Sequence, residues 1–482
     1  MKREELLGIR YKKSENFSEW FSEVVEKCGL ADIRYPVQGF IVHRPWSFFV
    51  IRKIIQAFEE ELEKRGHEVA LFPLVIPEEN LVKEEEHTGF KPQVFFITEA
   101  GERKLSRRLA LRPTSETAIY PMFSLWIQSY TDLPLKIYQS VTVYRYEHVT
   151  RPFIRGREFI FIEAHDAFRE HEDALKQIRE DMEISREVIT NKLAIPFIYF
   201  KRPHWDKFKG AEDTYAADTI MPDGRSLQIA STHDLGQRFS KAFDIKFVDR
   251  NGEWKYVWQT CYGPGVWRIF AALVSIHGDD KGLIYPFEFS PIQVVIIPIF
   301  YSEDEKEKVL RKCSNIARKL KEFRVKIDDS EKTPGEKFNH WEMLGVPFRL
   351  EIGINEVDGN FVTVFRRDNF SKIKVEDDKL VESILALSKE MLENLRRRAE
   401  EVFRSMISEA HSKEELLKLM NEKRGFIRVN FCNEEECARK LKEETNGLEV
   451  KGTLADKVEE PSGKCVWCGK KAKAVVYLAK SY

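Results

Sequence analysis

The run from Lys136 to Tyr144, K-I-Y-Q-S-V-T-V-Y, constrains the fold more than any other stretch of the chain. Ile137, Val141 and Val143 fall on one side of a two-residue period and Lys136, Ser140 and Thr142 on the other, which suits a strand with one buried face. Similar short β-branched and aromatic runs, separated by polar turns, extend from Arg112 to Phe168, so an antiparallel sheet is expected there. Helical periods flank it. Phe48, Ile51, Ile54, Ile55, Phe58 and Leu62 recur at helical spacing between residues 46 and 65, and a strand from Glu68 to Phe72 follows, stopping at Pro73. Glu170 to Leu193 reads as one amphipathic helix.

At 482 residues the chain has room for about three domains. A new unit is expected near Ser290-Pro291: Gln293 to Ile299 reads as a buried strand, Ser302 to Phe323 as a charged helix, and strands and helices alternate to about Val375. Residues 380 to 420 read as a long helical stretch whose Arg396, Arg397, Arg398 and Arg404 form a solvated face. The expected class is α+β, with boundaries at 1–289, 290–385 and 386–482.

Composition narrows the setting. With 43% hydrophobic and 33% charged residues the chain is an ordered globular protein, not a disordered or fibrous one. No apolar run approaches the roughly 20 residues that span a bilayer, and the first residues carry no signal-like core, so a cytoplasmic protein without membrane contact is expected. The net charge of -1 means that a nucleic-acid partner must meet a local patch, not bulk attraction.

Three separated elements carry the chemistry. There is no G-x-x-x-x-G-K-[ST] loop, so any nucleotide is held in another way. Arg145 and Glu147 end one strand and Arg157-Glu158-Phe159 head the next. An arginine there can hold an α-phosphate, a glutamate can accept from an adenine amino group, and an aromatic ring can stack on the base. The same Arg and Glu pattern also occurs as a surface ion pair. Gly263-Pro264-Gly265-Val266-Trp267-Arg268 then leads into an apolar helix, bringing Arg268 to a helix entry beside backbone that a ligand can approach.

Together these pieces resemble the three signature motifs of class II aminoacyl-tRNA synthetases. Arg112-Pro113-Thr114-Ser115-Glu116, the run Arg151 to Phe159, Glu163-Ala164-His165, Gln228 to Gln237, and Gly335 to Glu342 with Gly345 to Arg349 look like the prolyl-tRNA synthetase family in its archaeal and eukaryotic-like form. The resemblance implies a class II antiparallel sheet flanked by helices, then a small α/β anticodon-binding domain, then a small zinc-binding α/β domain. It implies a homodimer that uses ATP and Mg²⁺ to join proline to tRNA(Pro). The stretch between the second and third motifs is too short for the inserted editing domain of the bacterial type.

By that resemblance Arg145 and Arg268 are catalytic. Thr114, Glu116, Arg145, Phe161, Glu163, His165, Ser231 and His233 bind proline, and Arg145, Glu147, Arg155, Gly156, Phe159, Gln228 and Arg268 bind ATP. Read from the residues alone, a secondary ammonium wants acceptors such as Glu116 and the Thr114 hydroxyl, and the proline ring wants an apolar wall. Phe161 stands where many relatives carry Trp. The motif before Arg268 is one residue longer than in many relatives, so no serine or threonine equivalent is assigned there. Glu342 and Arg349 are expected to read anticodon bases. Arg366-Arg367-Asp368 is expected either at the RNA backbone or in a surface ion cluster.

Cys432-x4-Cys437 and Cys465-x2-Cys468 form two pairs that can close a structural zinc site, with unpaired buried thiols as the alternative. The resemblance implies that the terminal carboxylate at Tyr482 reaches toward the active site, with a frayed end as the alternative. Two other readings stay open from sequence: a threonyl-tRNA synthetase-like enzyme and a non-catalytic synthetase paralogue.

Overall fold

The structure is a computed structural model that describes residues 8–88, 93–422 and 424–482. Among the described residues, eleven strands form one sheet. Its central part runs antiparallel in the order Ile198–Lys201, Asp213–Ile220, Ser226–Gly236, Trp258–Pro264, Glu158–Phe168 and Leu135–Tyr144. The helices Pro45–Lys64, His171–Ser185 and Val266–His277 pack on one face and bury Ile51, Ile54, Phe58, Ile178 and Phe270 in a shared core. The opposite face is left open over its middle, and there the cavity lies.

The expected sheet holds, with one interruption. Glu116–Trp126 is a helix, not a strand, because Ile119, Tyr120 and Phe123 bury along one helical face against the sheet. The amphipathic helix after Glu170 widens into a π-turn over Arg186–Lys192, and the strand after residue 67 pairs only over Glu68–Val69. A second sheet, ordered Val325–Ile327, Val294–Pro298, Phe348–Ile352, Phe361–Arg366, Lys372–Glu376, forms the next unit.

The long helical stretch is shorter than its periodicity suggests. The helix ends at Ser405, and Ile407–Ala410 is a strand paired in parallel with Phe426–Val429. Ile407 fits a helical period, but as a β-branched residue it fits a half-buried strand equally well, and the tertiary pairing decides. Arg396, Arg397 and Arg404 pair with Glu393, Glu401 and Glu400 along the exposed face, as expected of a solvated surface. The last strands join the central sheet, since Leu448–Leu454 pairs with Ile198–Lys201. Among the described residues no helix is long and apolar enough to cross a membrane.

Candidate active site

Strand parity builds the site. Neighbouring strands place His165, Cys261 and His233 side by side, with Cys261 opposite both histidines. Glu163 and Phe161 precede His165 on the same face, and Ser231 precedes His233. These side chains line a cavity of about 730 Å³, together with Thr114, Glu116, Arg145, Glu147, Arg155, Gly156, Phe159, Gln228 and Arg268. All of the proline-binding and ATP-binding residues expected from sequence therefore border one cavity.

One end of the cavity is anionic. The Thr114 hydroxyl lies 2.7 Å from Glu163 and also contacts Glu116, while the Ser115 amide donates to Glu163 at 3.0 Å and the Ser115 hydroxyl donates to it as well. A hydroxyl has one proton, so two carboxylates converging on Thr114 keep unmet acceptor capacity and negative charge. Gln139 donates to the Ser115 hydroxyl at 2.7 Å, which fixes this loop to the sheet. His165 is only 1% exposed; its Nδ1 meets the Tyr120 hydroxyl at 3.0 Å, and its Nε2 has no partner among the described residues. Glu116, Glu163 and His165 thus present a compact set of acceptors suited to a cation.

The other end is cationic. Arg145 donates to the Pro113 carbonyl at 2.9 Å, and Arg268 to the Ile154 and Gln228 carbonyls at 3.1 and 3.2 Å. These contacts orient each guanidinium without neutralising it. Burial, with Arg155 and Arg145 close by, pushes Arg268 down to about 10. Burial also lowers Arg145, against the attraction of Glu163, Glu116 and Glu147. Arg155 pairs with Glu147 at 3.3 Å and donates to a main-chain oxygen of Tyr482 at 3.3 Å. The Arg145 guanidinium faces Phe159 at 5.3 Å and Phe161 at 5.9 Å, and Phe161 packs so closely on Gly263 that a Cβ there would lie 2.5 Å from its ring. Burial and Arg202 push His233 down to about 4, so it is neutral, held by Thr214 at 2.9 Å and Ser231 at 3.1 Å.

Sequence reasoning missed Tyr120, Gln139 and Cys261. Cys261 was within reach, because it shares strand parity with Gly263. Tyr120 was not, because its role needs the unexpected helix.

Elsewhere, Glu342 and Arg349 come together, but with each other. Arg349 is 4% exposed, donates to Glu342 at 2.6 Å and to Glu351 at 2.8 Å, and is sandwiched between Phe338 and Phe365 at 3.9 and 4.0 Å. Arg366, Arg367 and Asp368 are neither at the surface nor free for a phosphate. All three are buried: Arg366 pairs with Asp368 and Glu390, and Arg367 pairs with Asp279 of the preceding unit through both nitrogens. The cross-unit ion pair, which no local pattern encodes, draws the cluster inward.

The Sγ atoms of Cys432, Cys437, Cys465 and Cys468 all lie within 4.8 Å of one another, and those of Cys437 and Cys465 are 3.9 Å apart. Four thiolates at about 2.3 Å from one zinc ion sit about 3.8 Å from each other, so the donor set fits that ion. Backbone N–H groups of Cys468, Trp467 and Cys432 favour a thiolate on Cys465, after the Cys437 thiol.

Family models match the tRNA synthetase class II core domain (G, H, P, S and T) over residues 96–277, the anticodon binding domain over 293–387, and the prolyl-tRNA synthetase C-terminal domain over 413–482. The proline–tRNA ligase of Thermofilum pendens is 60% identical over 98% of this chain and 99% of its own, and that of Thermococcus kodakarensis is 43% identical over the same shares. Among solved structures, the Giardia lamblia prolyl-tRNA synthetase in complex with prolyl-adenylate superposes with a TM-score of 0.94 at 36% identity, covering 98% of this chain and all of that one. The Cryptosporidium parvum enzyme complexed with L-proline and AMP gives 0.92 at 32%, covering 100% of this chain and 99% of its own. The core model alone spans five amino-acid specificities; the C-terminal model and the relatives narrow them to one, and the chain belongs to the prolyl-tRNA synthetase family of class II aminoacyl-tRNA ligases.

Proposed function

We propose that the chain activates proline with ATP and transfers the prolyl group to the 3' end of tRNA(Pro). The observation that carries this reading is one cavity with a carboxylate end at Glu116 and Glu163 and an unneutralised guanidinium end at Arg145 and Arg268. An amino acid and a nucleotide triphosphate match those two ends.

In this reading the secondary ammonium sits between Glu116, Thr114, Glu163 and His165 Nε2, and the ring lies against Phe161 with Ser231 and His233 beyond. A carboxylate oxygen then attacks the α-phosphorus in line, and the bond to the pyrophosphate oxygen breaks. Arg145 and Arg268 hold the α-phosphate and stabilise charge as it develops. Glu147 accepts from the adenine amino group, Phe159 stacks on the base, and Arg155, Gly156 and Gln228 complete the nucleotide side. Mg²⁺ arriving with ATP would supply charge neutralisation for the leaving pyrophosphate. No enzyme nucleophile is needed. In the second step a terminal ribose hydroxyl attacks the activated carbonyl, AMP leaves, and the adenylate phosphate takes the proton.

The remaining assignments rest on separate supports. Zinc held by Cys432, Cys437, Cys465 and Cys468 has no open position and is structural. In the same reading Glu342, 17% exposed in its side chain, meets an anticodon base, and Arg349, buried against Glu342 and Glu351, holds it in position. A homodimer is supported by the exposed apolar residues Val69, Leu71, Leu125 and Trp126 near an edge strand; Leu71 alone is 82% exposed. Sedimentation at micromolar concentration should give a dimer.

ATP–pyrophosphate exchange over all twenty amino acids tests the central reading. Proline should dominate. Threonine-dependent exchange would favour the threonyl alternative, and no exchange with any amino acid would favour a non-catalytic paralogue.

A further inference from the structure

Arg202 lies outside the cavity and is 6% exposed, yet it touches both the nucleotide side and the C-terminal unit. Its Nη2 donates to Asp218 Oδ1 at 2.9 Å and to Gln228 Oε1 at 3.2 Å, its Nη1 donates to the Lys451 carbonyl at 2.7 Å, and that same nitrogen is 2.9 Å from Asp218 Oδ2. Asp218 is fully buried, and Asp206 at 3.9 Å from Arg202 and Lys451 at 4.0 Å from Asp218 complete a compact charge cluster around the pair. A guanidinium has donors only. The Gln228 amide must therefore turn its oxygen toward Arg202, which leaves Nε2, the donor, for the cavity that Gln228 lines. The same residue's main-chain carbonyl accepts from Arg268 at 3.2 Å, so Gln228 is fixed at both ends by arginines.

The third anchor comes from the far end of the chain. The strand Leu448–Leu454 shifts register between Val450 and Gly452 against its neighbour Ala474–Lys480, leaving Lys451 as the extra residue of a bulge. Gly452 has a φ of +127°, and a Cβ there would overlap the Lys201 carbonyl oxygen. Only glycine lets this strand come so close to Lys201 and Arg202.

We propose that Arg202 is a positioning residue for the nucleotide: clamped by Asp218 and the Lys451 carbonyl of the C-terminal unit, it holds the Gln228 amide with its N–H group toward ATP. This rests on the reading that Gln228 faces the nucleotide, and the test separates the two. ATP and proline KM values are measured by pyrophosphate exchange on the full-length chain. Gln228→Ala should raise the ATP KM about tenfold, the loss of one good hydrogen bond, and leave the proline KM within about twofold. Arg202→Met with Asp218→Asn, which removes the buried pair together, should raise the ATP KM in the same direction and add nothing in the Gln228→Ala background. Arg202→Lys keeps the charge but cannot reach all three acceptors, and should fall between wild type and the double variant; this folding-tolerant variant decides the matter if the double variant is unstable.

An unchanged ATP KM in Gln228→Ala would overturn the reading of Gln228. A raised ATP KM there with an unchanged one in both Arg202 variants would overturn the positioning role alone. A fall in kcat with both KM values unchanged, or an equal rise in both, would mark Arg202 as merely structural.

Discussion

Two sets of arginines in this chain meet their charge in opposite ways. In the cavity, Arg145 and Arg268 hydrogen-bond only main-chain carbonyls among the described residues, and they stand close enough to each other and to Arg155 for the positive charges to repel. In the five-stranded unit, Arg349, Arg366 and Arg367 are each buried against carboxylates, at 2.6 Å for Arg349 with Glu342 and 2.6 Å for Arg367 with Asp279. Folding tolerates an unpaired guanidinium only where water or a ligand will meet it, so the first set marks a substrate site. The second set is structural, and one of its members, Arg367, ties the five-stranded unit to the preceding one through Asp279. Sequence alone treats the two alike.

The four-thiol cluster breaks this division most severely, because three of its thiols are buried and all four converge on one another rather than on an ion-pair partner. Cys465→Ser should abolish stoichiometric zinc and unfold the last unit, because a closed site converts metal affinity of about 10–16 kcal/mol into folding free energy. Metal analysis with thermal unfolding checks it; a zinc-free wild type would return the cluster to buried thiols. Next in size, Arg145→Ala should slow proline-dependent exchange a hundredfold or more, about 3 kcal/mol of lost charge stabilisation. Near-native exchange would remove Arg145 from the α-phosphate.

Glu342→Gln sharpens the other half. It keeps the side chain's shape beside Arg349 but loses an acceptor for guanine N–H groups, so charging efficiency should fall by roughly 1 to 3 kcal/mol in kcat/KM for tRNA. Proline activation without tRNA should not change, and equal losses in both assays would indicate a folding defect. The smallest effect is expected for Tyr120→Phe. Losing the bond to His165 Nδ1 should raise the proline KM about fivefold, near 1 kcal/mol, and leave the ATP KM alone.

What could be read in advance followed the reach of the pattern. Glu163, His165, Ser231 and His233 were legible through the words that carry the family resemblance, and strand parity explains why each pair shares a face. The strand Ile407–Ala410 was not, since its periodicity also suits a helix and its partner lies beyond the next helix. Arg202 carried little signal: apart from Asp206, four positions on at 3.9 Å, the partners of its side chain are 16, 26 and 249 positions away. Arg367 looked like a surface charge until Asp279, 88 positions off, was seen to hold it.

The most direct test sets one arginine of each kind side by side. Arg268→Met and Arg367→Met are compared by proline-dependent pyrophosphate exchange and by thermal unfolding. The Arg268 variant should lose exchange at least a hundredfold with its unfolding midpoint unchanged or raised, since the fold already disfavours that charge and lowers its pKa. The Arg367 variant should lose about 3 kcal/mol of stability, because it leaves Asp279 without its buried partner. Destabilisation by Arg268→Met, or a stable Arg367→Met with exchange abolished, would contradict the division between substrate-facing and structural charge.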